Sequence, residues 1–576
     1  MTDIPIPRQP DSGAWGDPPA GRPPVHPSLS EAGRFLCAGT YLDAGYRDRV
    51  IDELYVHEER VVAPSYGYDA SRVLAHALRA RRAELGWAAG VLGAWFVGSL
   101  LTGGALAVLV FPFLMLSLAD WLRNRSVPLL RVLAVILRVY VWWTIVVLLL
   151  LFGFGGLALL GTFGNAGGIL GLGLPFTPTG GVAAGAVSFW WLPVVFAAVA
   201  TVVGLQRGYV FRTIATDLNG QRYADHAGDP AEAAQGARFQ RIRQRIRAEQ
   251  YAPMIMYDVN DPFCGAGDPY RPWQLSVELR PREDLGPDRK PVPVTNAHIL
   301  GRIVPLLERL RVPSPHGSPE SAAAVGDRMR ELVVDECVFL PAAGLPHRDT
   351  AQVVHGQYAE QRAAAIEEGG ERRRHFLRVR VGGWDENLVV TVFVRVHTQG
   401  GMMMLEVAPH VLLPVHVAFH NADADAQRHR NNNGFGKAVW AVRNTPGSIA
   451  ASVTTLGRGL VSWWRIATAG HGGARPEGPR VSVRDLASQD NGSLFHLMDL
   501  DRFLKTIQDR VVGGIVVALH EAGWHTEEFA ARAVNVAEGG VFIQSVNGST
   551  FSVGGSNNTN TVHHSGGRGR GSSGGN

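Results

Sequence analysis

The hydrophobic pattern divides the chain sharply. From Leu85 to Gln206 charge is scarce, and between Leu85 and Ala119 no side chain is ionisable. One helix over that first part would be about 50 Å long against a hydrocarbon core of about 30 Å, too long for a single crossing. Thr102, Gly103 and Gly104 punctuate the run midway. The pattern predicts a hairpin of two short spans, Leu85 to Leu101 and Ala105 to Ala119, the second kinked at Pro112. A second hairpin is expected to run from Val139 to about Leu160, turn through the Gly-rich residues 161–181, and return from Val182 to Gln206.

Flanking charge sets the number of crossings. Arg79, Arg81 and Arg82 precede the first span, Arg123, Arg125, Arg131 and Arg138 lie between the hairpins, and Arg207 and Arg212 follow the last. Four crossings put every cluster in the cytoplasm, whereas three would set the first cluster opposite the second. The expectation is a multi-pass protein of the cell (inner) membrane with both termini cytoplasmic. Trp121, Trp142, Trp143, Trp190 and Trp191 fall near span ends, where interfacial aromatics belong. Apart from Arg138 the spans carry no ionisable group at depth, which weighs against an ion pump or proton-coupled transporter. An anchor or oligomerisation domain fits, and a pore lined by small residues stays open. Gly90, Gly93 and Gly98 would permit close helix contact.

Outside the spans the period changes twice. Ser30 and Glu31 open a helical stripe through Phe35, Leu36, Tyr41, Leu42, Tyr46, Val50, Ile51 and Leu54, and a second helix from Ala70 to Arg82 leads into the membrane. After the spans, Phe239, Ile242 and Ile246 interleave with Arg238, Arg241, Arg243, Arg245 and Arg247 on a short basic amphipathic helix. Either anionic headgroups or water would suit its charged face. From Tyr251 onward the period becomes two. Trp273, Leu275, Val277 and Leu279 alternate with polar residues, Thr295 caps a helix that Pro305 bends or breaks, and Leu332 to Leu340 reads as a strand. Phe376 to Val381, Leu388 to His397 and Met402 to Ala408, joined through Gly382-Gly383 and Gly400-Gly401, then form an antiparallel β-meander in an α+β domain. Ser448 to Thr468 carries an apolar stripe that would serve either as a core helix or on the inner leaflet. Asp501 to Ala522 is helical, interrupted at Gly513-Gly514 and ended by Gly523, and another helix starts at Thr526.

The fold class expected is thus an α-helical membrane domain of about four spans in two hairpins plus a cytosolic α+β domain with an antiparallel β-meander. The chain divides into a disordered Pro-rich N-terminus (residues 1–29), a cytosolic helical segment (30–84), the transmembrane domain (85–206) and a basic linker with its amphipathic helix (207–248). There follow a cytosolic α+β domain (249–468), a linker (469–480), a helical segment (481–539) and a Gly- and Asn-rich tail (540–576). Composition changes this picture little. The 576 residues carry a net charge of only +4, which implies no nucleic-acid partner without clustered Lys and Arg on a folded face. Three widely spaced cysteines, Cys37, Cys264 and Cys337, suit free thiols in a reducing compartment. No cleavable signal peptide is visible, so the first hairpin is expected to direct insertion.

Two segments resemble uncharacterised multi-pass membrane proteins of actinobacteria: PFCGAGDPYRPW, Pro262 to Trp273, and RFLCAGTYLD, Arg34 to Asp43. The resemblance implies membrane location and no activity. Cys264 sits on a Gly-bounded loop, where a turn thiol without an identifiable base is expected to be inert. Cys37 reads as a packed thiol. No GxSxG, GxxxxGK[ST], HExxH or paired CxxC occurs, so no catalytic residue, cofactor or metal ligand is assigned. His416 and His420, followed by Asp423 and Asp425, are the most metal-like group. On a helix the two histidines would share a face. Val415, Val417 and Phe419 alternate with them after Pro414, which predicts a strand that sets them about 13 Å apart, too far for one ion.

The tail segment FSVGGSNNTNTV, Phe551 to Val562, is similar to the β-stacking motifs of the RHIM-like amyloid-signalling class, with Ser552 where those have Gln. That resemblance implies homotypic or partner assembly in cell-death and defence signalling. A low-complexity disordered tail is the plain alternative. Three function classes stay open: a membrane protein with a cytosolic interaction, sensing or scaffolding domain; an assembly-triggered pore or membrane effector; and an enzyme of unrecognised type in the cytosolic domain. The partners expected are the lipid bilayer, a homo-oligomer, and a protein engaged through the cytosolic domain or the tail.

Overall fold

A computed structural model of the chain describes residues 27–539, apart from 103–104, 124–126, 162–181, 226–227, 234–235, 285–289, 312–328, 330–331, 352–355, 368–369, 371, 384–386, 469–474 and 490–491. Ser30 caps the first helix, α1 (Glu31–Leu42), its hydroxyl accepting from the Gly33 amide at 3.0 Å. The single stripe expected from Ser30 onward breaks at Asp43. That carboxylate accepts from the amides of Gly45 and Tyr46 and starts a new helix, α2 (Ala44–Ile51), which ends in a π turn, Asp52–Val56.

The next helix differs from expectation in the opposite sense, by continuity. Helix α3 (Ala70–Leu101) joins the helix expected over Ala70 to Arg82 and the apolar run from Leu85 to Leu101 into one rod of 32 residues, about 48 Å long. Beyond α4 (Ala105–Val108) the chain restarts as α5 (Val110–Arg123). Pro112 therefore lies in the first turn of a helix, where its missing amide costs nothing, and does not kink a span. Helix α6 (Pro128–Gly161) begins well before Val139, and its Arg138 pairs with Asp120 of α5. Helix α7 (Val182–Asp217) returns antiparallel to α3. Gly98 lies against Val195, the rings of Trp87 and Tyr209 are 6.2 Å apart, and Arg79 pairs with Asp217 at 2.8 Å. Among the described residues four helical stretches, Ala70–Leu101, Leu106–Arg123, Pro128–Val147 and Leu192–Asp217, are long and apolar enough to cross a membrane. The expected turn at residues 161–181 lies, from 162 on, outside the described residues.

Three short helices follow: α8 (Gly220–Tyr223), α9 (Pro230–Ala233) and α10 (Ala237–Glu249). With α1, α2 and the first turns of α3 they enclose a core that includes Leu36, Tyr46, Leu74, Ile214, Phe239 and Ile242.

The strands are β1 (Met254–Tyr257), β2 (Asp268–Pro269), β3 (Trp273–Glu278), β4 (Leu332–Pro341), β5 (Arg374–Gly383), β6 (Leu388–Gln399) and β7 (Met402–Leu412). The strands β5, β6 and β7 pair antiparallel in succession, but within a larger curled, mixed sheet in the order β1-β4-β5-β6-β7-β2, with β3 also on β7. The parallel member is β1, Met254 standing opposite Val338. Gly400 and Gly401 make the β6–β7 turn with positive φ, as anticipated. Gly382 and Gly383 instead pair within β5, opposite Val389 and Leu388.

The remaining helices are α11 (Asn296–Glu308), α12 (Tyr358–Glu367), α13 (Val417–His420), α14 (Ala422–Asn431), α15 (Gly434–Thr468), α16 (Leu494–Glu521) and α17 (Glu527–Gly539). Thr295 caps α11 as expected, and Pro305 is accommodated inside it. One sheet face packs on α11, α16 and α17, with Ile303, Phe503, Ile507 and Phe529 against Leu377, Val379 and Val390. Gly513-Gly514 does not interrupt α16. A Cβ at Gly514 would lie 2.7 Å from the Ile303 Cα, so the glycine is there to let two helix backbones approach. The other sheet face carries an aromatic layer of Phe339, Phe376 and Phe393.

Two segments sit where periodicity did not put them. Helix α15 packs on the apolar helices and away from the sheet, with Ile449 buried among Val91, Trp95 and Val199. Residues 481–489, grouped with a helical segment on sequence, contain only the 3-10 turn Asp485–Ala487, with Val483 and Ala487 buried in the helical core.

Candidate functional site at the junction of helices and sheet

The first turns of α3 are polar, and the structure buries them. Asp69 caps the helix through the Ser71 amide, at 2.9 Å. Gln250, at the end of α10, donates to Asp69 at 3.0 Å and accepts from the Ala70 amide at 2.9 Å. One turn on, Arg72 is 1% exposed and His76 fully buried. The Arg72 Nε donates to Asp229 Oδ2 at 2.9 Å, and His76 Nε2 lies 3.2 Å from the same oxygen. The other nitrogen of His76, Nδ1, is 3.2 Å from the Tyr41 hydroxyl, and the Arg72 guanidinium stacks 3.6 Å above the Tyr223 ring. Burial alone would raise the Asp229 pKa, but the hydrogen bond and charge of His76, with Arg72, hold it below the usual carboxylate range.

A second group ties α10 to the same place. Arg243 and Arg247 both pair with Glu232 of α9, and Arg247 also donates to the Ser71 hydroxyl. Arg238 pairs with Glu58 at 2.7 Å and Arg245 reaches Asp349 at 3.4 Å. Four of the five arginines that suggested a headgroup-binding face are thus engaged with the protein's own carboxylates, and Arg241 is exposed. The link continues toward the sheet. Glu249 takes Arg348 at 2.7 Å, and Arg348 also donates to the backbone carbonyl of Arg60.

The segment Pro262 to Trp273 is the second half of this junction. Phe263 stacks into the aromatic layer, 4.8 Å from Phe393 and 4.6 Å from the His410 ring. Gly265 and Gly267 have φ of +95° and +90°, and a Cβ at Gly267 would lie 2.1 Å from the Val411 carbonyl oxygen. The Gly265 amide donates to Asp485 at 3.2 Å, which fixes the loop against the buried stretch 481–489. Cys264 is 7% exposed, and burial, reinforced by Asp261 and Asp485, pushes its thiol pKa far up, away from the reactive thiolate. The FCGAG pattern is thus a close-packing device in this chain.

The other sequence candidates are placed as follows. Cys37 and Cys337 are fully buried, and burial raises both thiols. His416 and His420 stand on a helical turn and not on the strand that alternation predicted. His416 caps α13, its Nδ1 accepting from the Ala418 amide at 3.2 Å, and the capping geometry wins over the alternating pattern in so short a run. His420 turns away to Asn387, at 3.0 Å, while Asp423 accepts from Arg34 at 2.6 Å. Among the described residues no group of three or more metal-type side chains converges. The tail segment Phe551 to Val562 lies outside the described residues.

Sequence reasoning missed the buried ionic junction. Its signal was available, since polar residues at Asp69, Arg72 and His76 interrupt what would otherwise be an apolar face, but Asp229, the partner of Arg72 and His76, lies more than 150 residues away.

No curated protein and no solved structure matches the chain. The likeness of Arg34 to Asp43 and Pro262 to Trp273 to actinobacterial membrane proteins finds no counterpart in these comparisons. Residues 272–552, just under half of the chain and containing β3 to β7 with α11 to α17, match the family model described as the AbeC-like domain.

Proposed function

We propose that the chain is an integral protein of the cell membrane, crossing it four times with both termini cytoplasmic, and that its AbeC-like region is an interaction, sensing or scaffolding module on the cytoplasmic face. The observation that carries this reading is the continuity of α3. A single helix begins in the buried ionic junction at Asp69 and ends among the apolar helices at Leu101, so the module and the spans are mechanically one piece. The exposed apolar side chains of α3, α5 and α6, among them Phe96, Phe111, Leu118, Leu129, Ile136 and Trp143, need an apolar solvent, and the bilayer supplies it. The positive clusters at the junction end agree with a cytoplasmic setting. A homo-oligomer, or a protein partner engaged through the sheet region or the tail, completes the reading.

Topology tests it. An added cysteine at Asn165, between α6 and α7, is expected to react with an impermeant maleimide in intact cells. One at Gln221, beyond α7, is expected to react only after the cytoplasmic face is opened. External labelling of Gln221→Cys would put the AbeC-like region outside and refute the reading.

A further inference from the structure

Helix α15 is the largest apolar element that the four-span reading leaves unexplained. It belongs to the segment matched as AbeC-like, yet it packs among the apolar helices. Apart from Ile449 its buried seam is made of small and hydroxylated residues, Ala441, Thr445, Ser448, Ser452 and Thr455, which let it lie close to its neighbours. On the half after Pro446, Val453, Leu460, Val461, Trp463 and Trp464 are each 53–65% accessible, whereas Arg443 and Asn444 are exposed just before the turn.

The contacts along α15 trace an arch. Just before it, His429 stacks on Phe211 at 5.0 Å, near the Asp217 end of α7, which pairs with Arg79. Ala441 lies beside Gly204, farther from that end. At its middle, Ser448 accepts from the Trp95 indole at 3.3 Å, about 20 Å along α3 from Arg81. The helix then comes back. Thr455 donates to Glu84 at 3.4 Å, Gly459 lies against Leu85, and the Arg458 carbonyl accepts from Arg81 at 3.1 Å. Arg465 pairs with Asp52 at 2.8 Å. Both ends of α15 therefore stand at the same end of the bundle, and its middle, with Pro446 and Gly447, reaches the level of Trp95, short of Leu101.

We infer that α15 is a re-entrant membrane helix, entering the leaflet on the AbeC-like side, turning at Pro446–Ser448 and leaving on the same side with the apolar side of its returning half in acyl chains. The inference rests on the four-span reading. The occupant of that side is lipid because it exposes apolar residues beside helices whose own exposed apolar side chains, Phe96 of α3 and Phe111 of α5 among them, need the same solvent. Arg458 and Arg465 meanwhile meet Asp48 and Asp52 at the polar rim, beside Trp463 and Trp464, as at a membrane interface. Re-entrant backbone is tolerated at membrane depth where protein buries it, and the seam on α3 and α7 does so.

Single cysteines in the full chain separate the cases, with the three buried native cysteines left in place. Asn431→Cys and Thr468→Cys, flanking the arch, are expected to react with an impermeant maleimide in inverted membrane vesicles and not in intact cells. Val453→Cys, on the returning half of α15, and Phe96→Cys, on the exposed side of α3, are expected to lose labelling in both until detergent is added. Labelling of Asn431→Cys and Thr468→Cys from opposite sides would make α15 a full span and overturn the inference. Labelling of Val453→Cys with Phe96→Cys still protected would put α15 in water and overturn it while leaving the four spans standing. Labelling of both in vesicles would fail the membrane reading itself.

Discussion

Single residues decide how the two faces of the sheet are closed. Gly267 holds a positive φ with Val411 directly over its Cα, so Gly267→Ala adds a methyl where backbone already stands. The expected cost is about 1–3 kcal/mol, read as a lower midpoint of thermal unfolding in detergent, and Gly220→Ala, in open space, serves as the neutral control. His410 and Glu336 give the same region two separate acid sensitivities. Burial against Phe263 and Phe393 lowers the His410 pKa to about 4. Its unfolded value is near 6.5, so the unfolded chain binds more protons in between, and stability falls as pH drops from about 6.5 to about 4. Burial raises the Glu336 pKa, but hydrogen bonds from His375 and Arg362 outweigh it and bring the value down to about 2. That contribution is intact above the unfolded value of roughly 4.3 and is lost as pH falls toward 2. Unfolding in detergent across pH should therefore flatten between about 6.5 and 4 in His410→Phe while keeping its steep limb below 4. An unchanged upper limb would show that His410 does not titrate there.

At the scale of elements, what could be read from sequence was what local chemistry determines. Ser30 and Thr295 cap the helices they were expected to cap, β3 alternates burial residue by residue from Trp273 to Glu278, and Gly523 ends α16 with a positive φ. Illegible was whatever depends on a distant neighbour. Gly513-Gly514 looks like a break until Ile303 is beside it, and the arginines of α10 look like a lipid-facing stripe until Glu58 and Glu232 arrive. The parallel strand β1 could not be anticipated either, since its partner β4 lies some 80 residues on. The candidate site followed the same rule. FCGAG stood out as a motif, but only the approach of Val411 and Asp485 explains it. The ionic junction yields a prediction at this scale. Asp229→Asn leaves Arg72 buried without its counter-charge, and a loss of about 3–5 kcal/mol is expected. Limited proteolysis should then cut first between α8 and α10, whereas equal protection of both proteins would mean that Asp229 adds little.

For the molecule as a whole, the four apolar helices and the AbeC-like region are not separate bodies joined by a tether. Helices α3, α7 and α15 each have one part among the apolar helices and another against the polar core or its rim. The α16 helix, grouped with a separate segment on sequence, belongs to the sheet, and α15, grouped with the sheet, belongs to the apolar helices. The continuity of α3 carries one more consequence. If α3 crosses the bilayer as proposed, its apolar part cannot shorten when the hydrocarbon thins, and tilting is the response. Because its first turns are locked to Asp229 and to Gln250, four residues before β1, such a tilt would swing the sheet with it, and on the proposed reading the lipid composition of the membrane would reach the sheet as an angle.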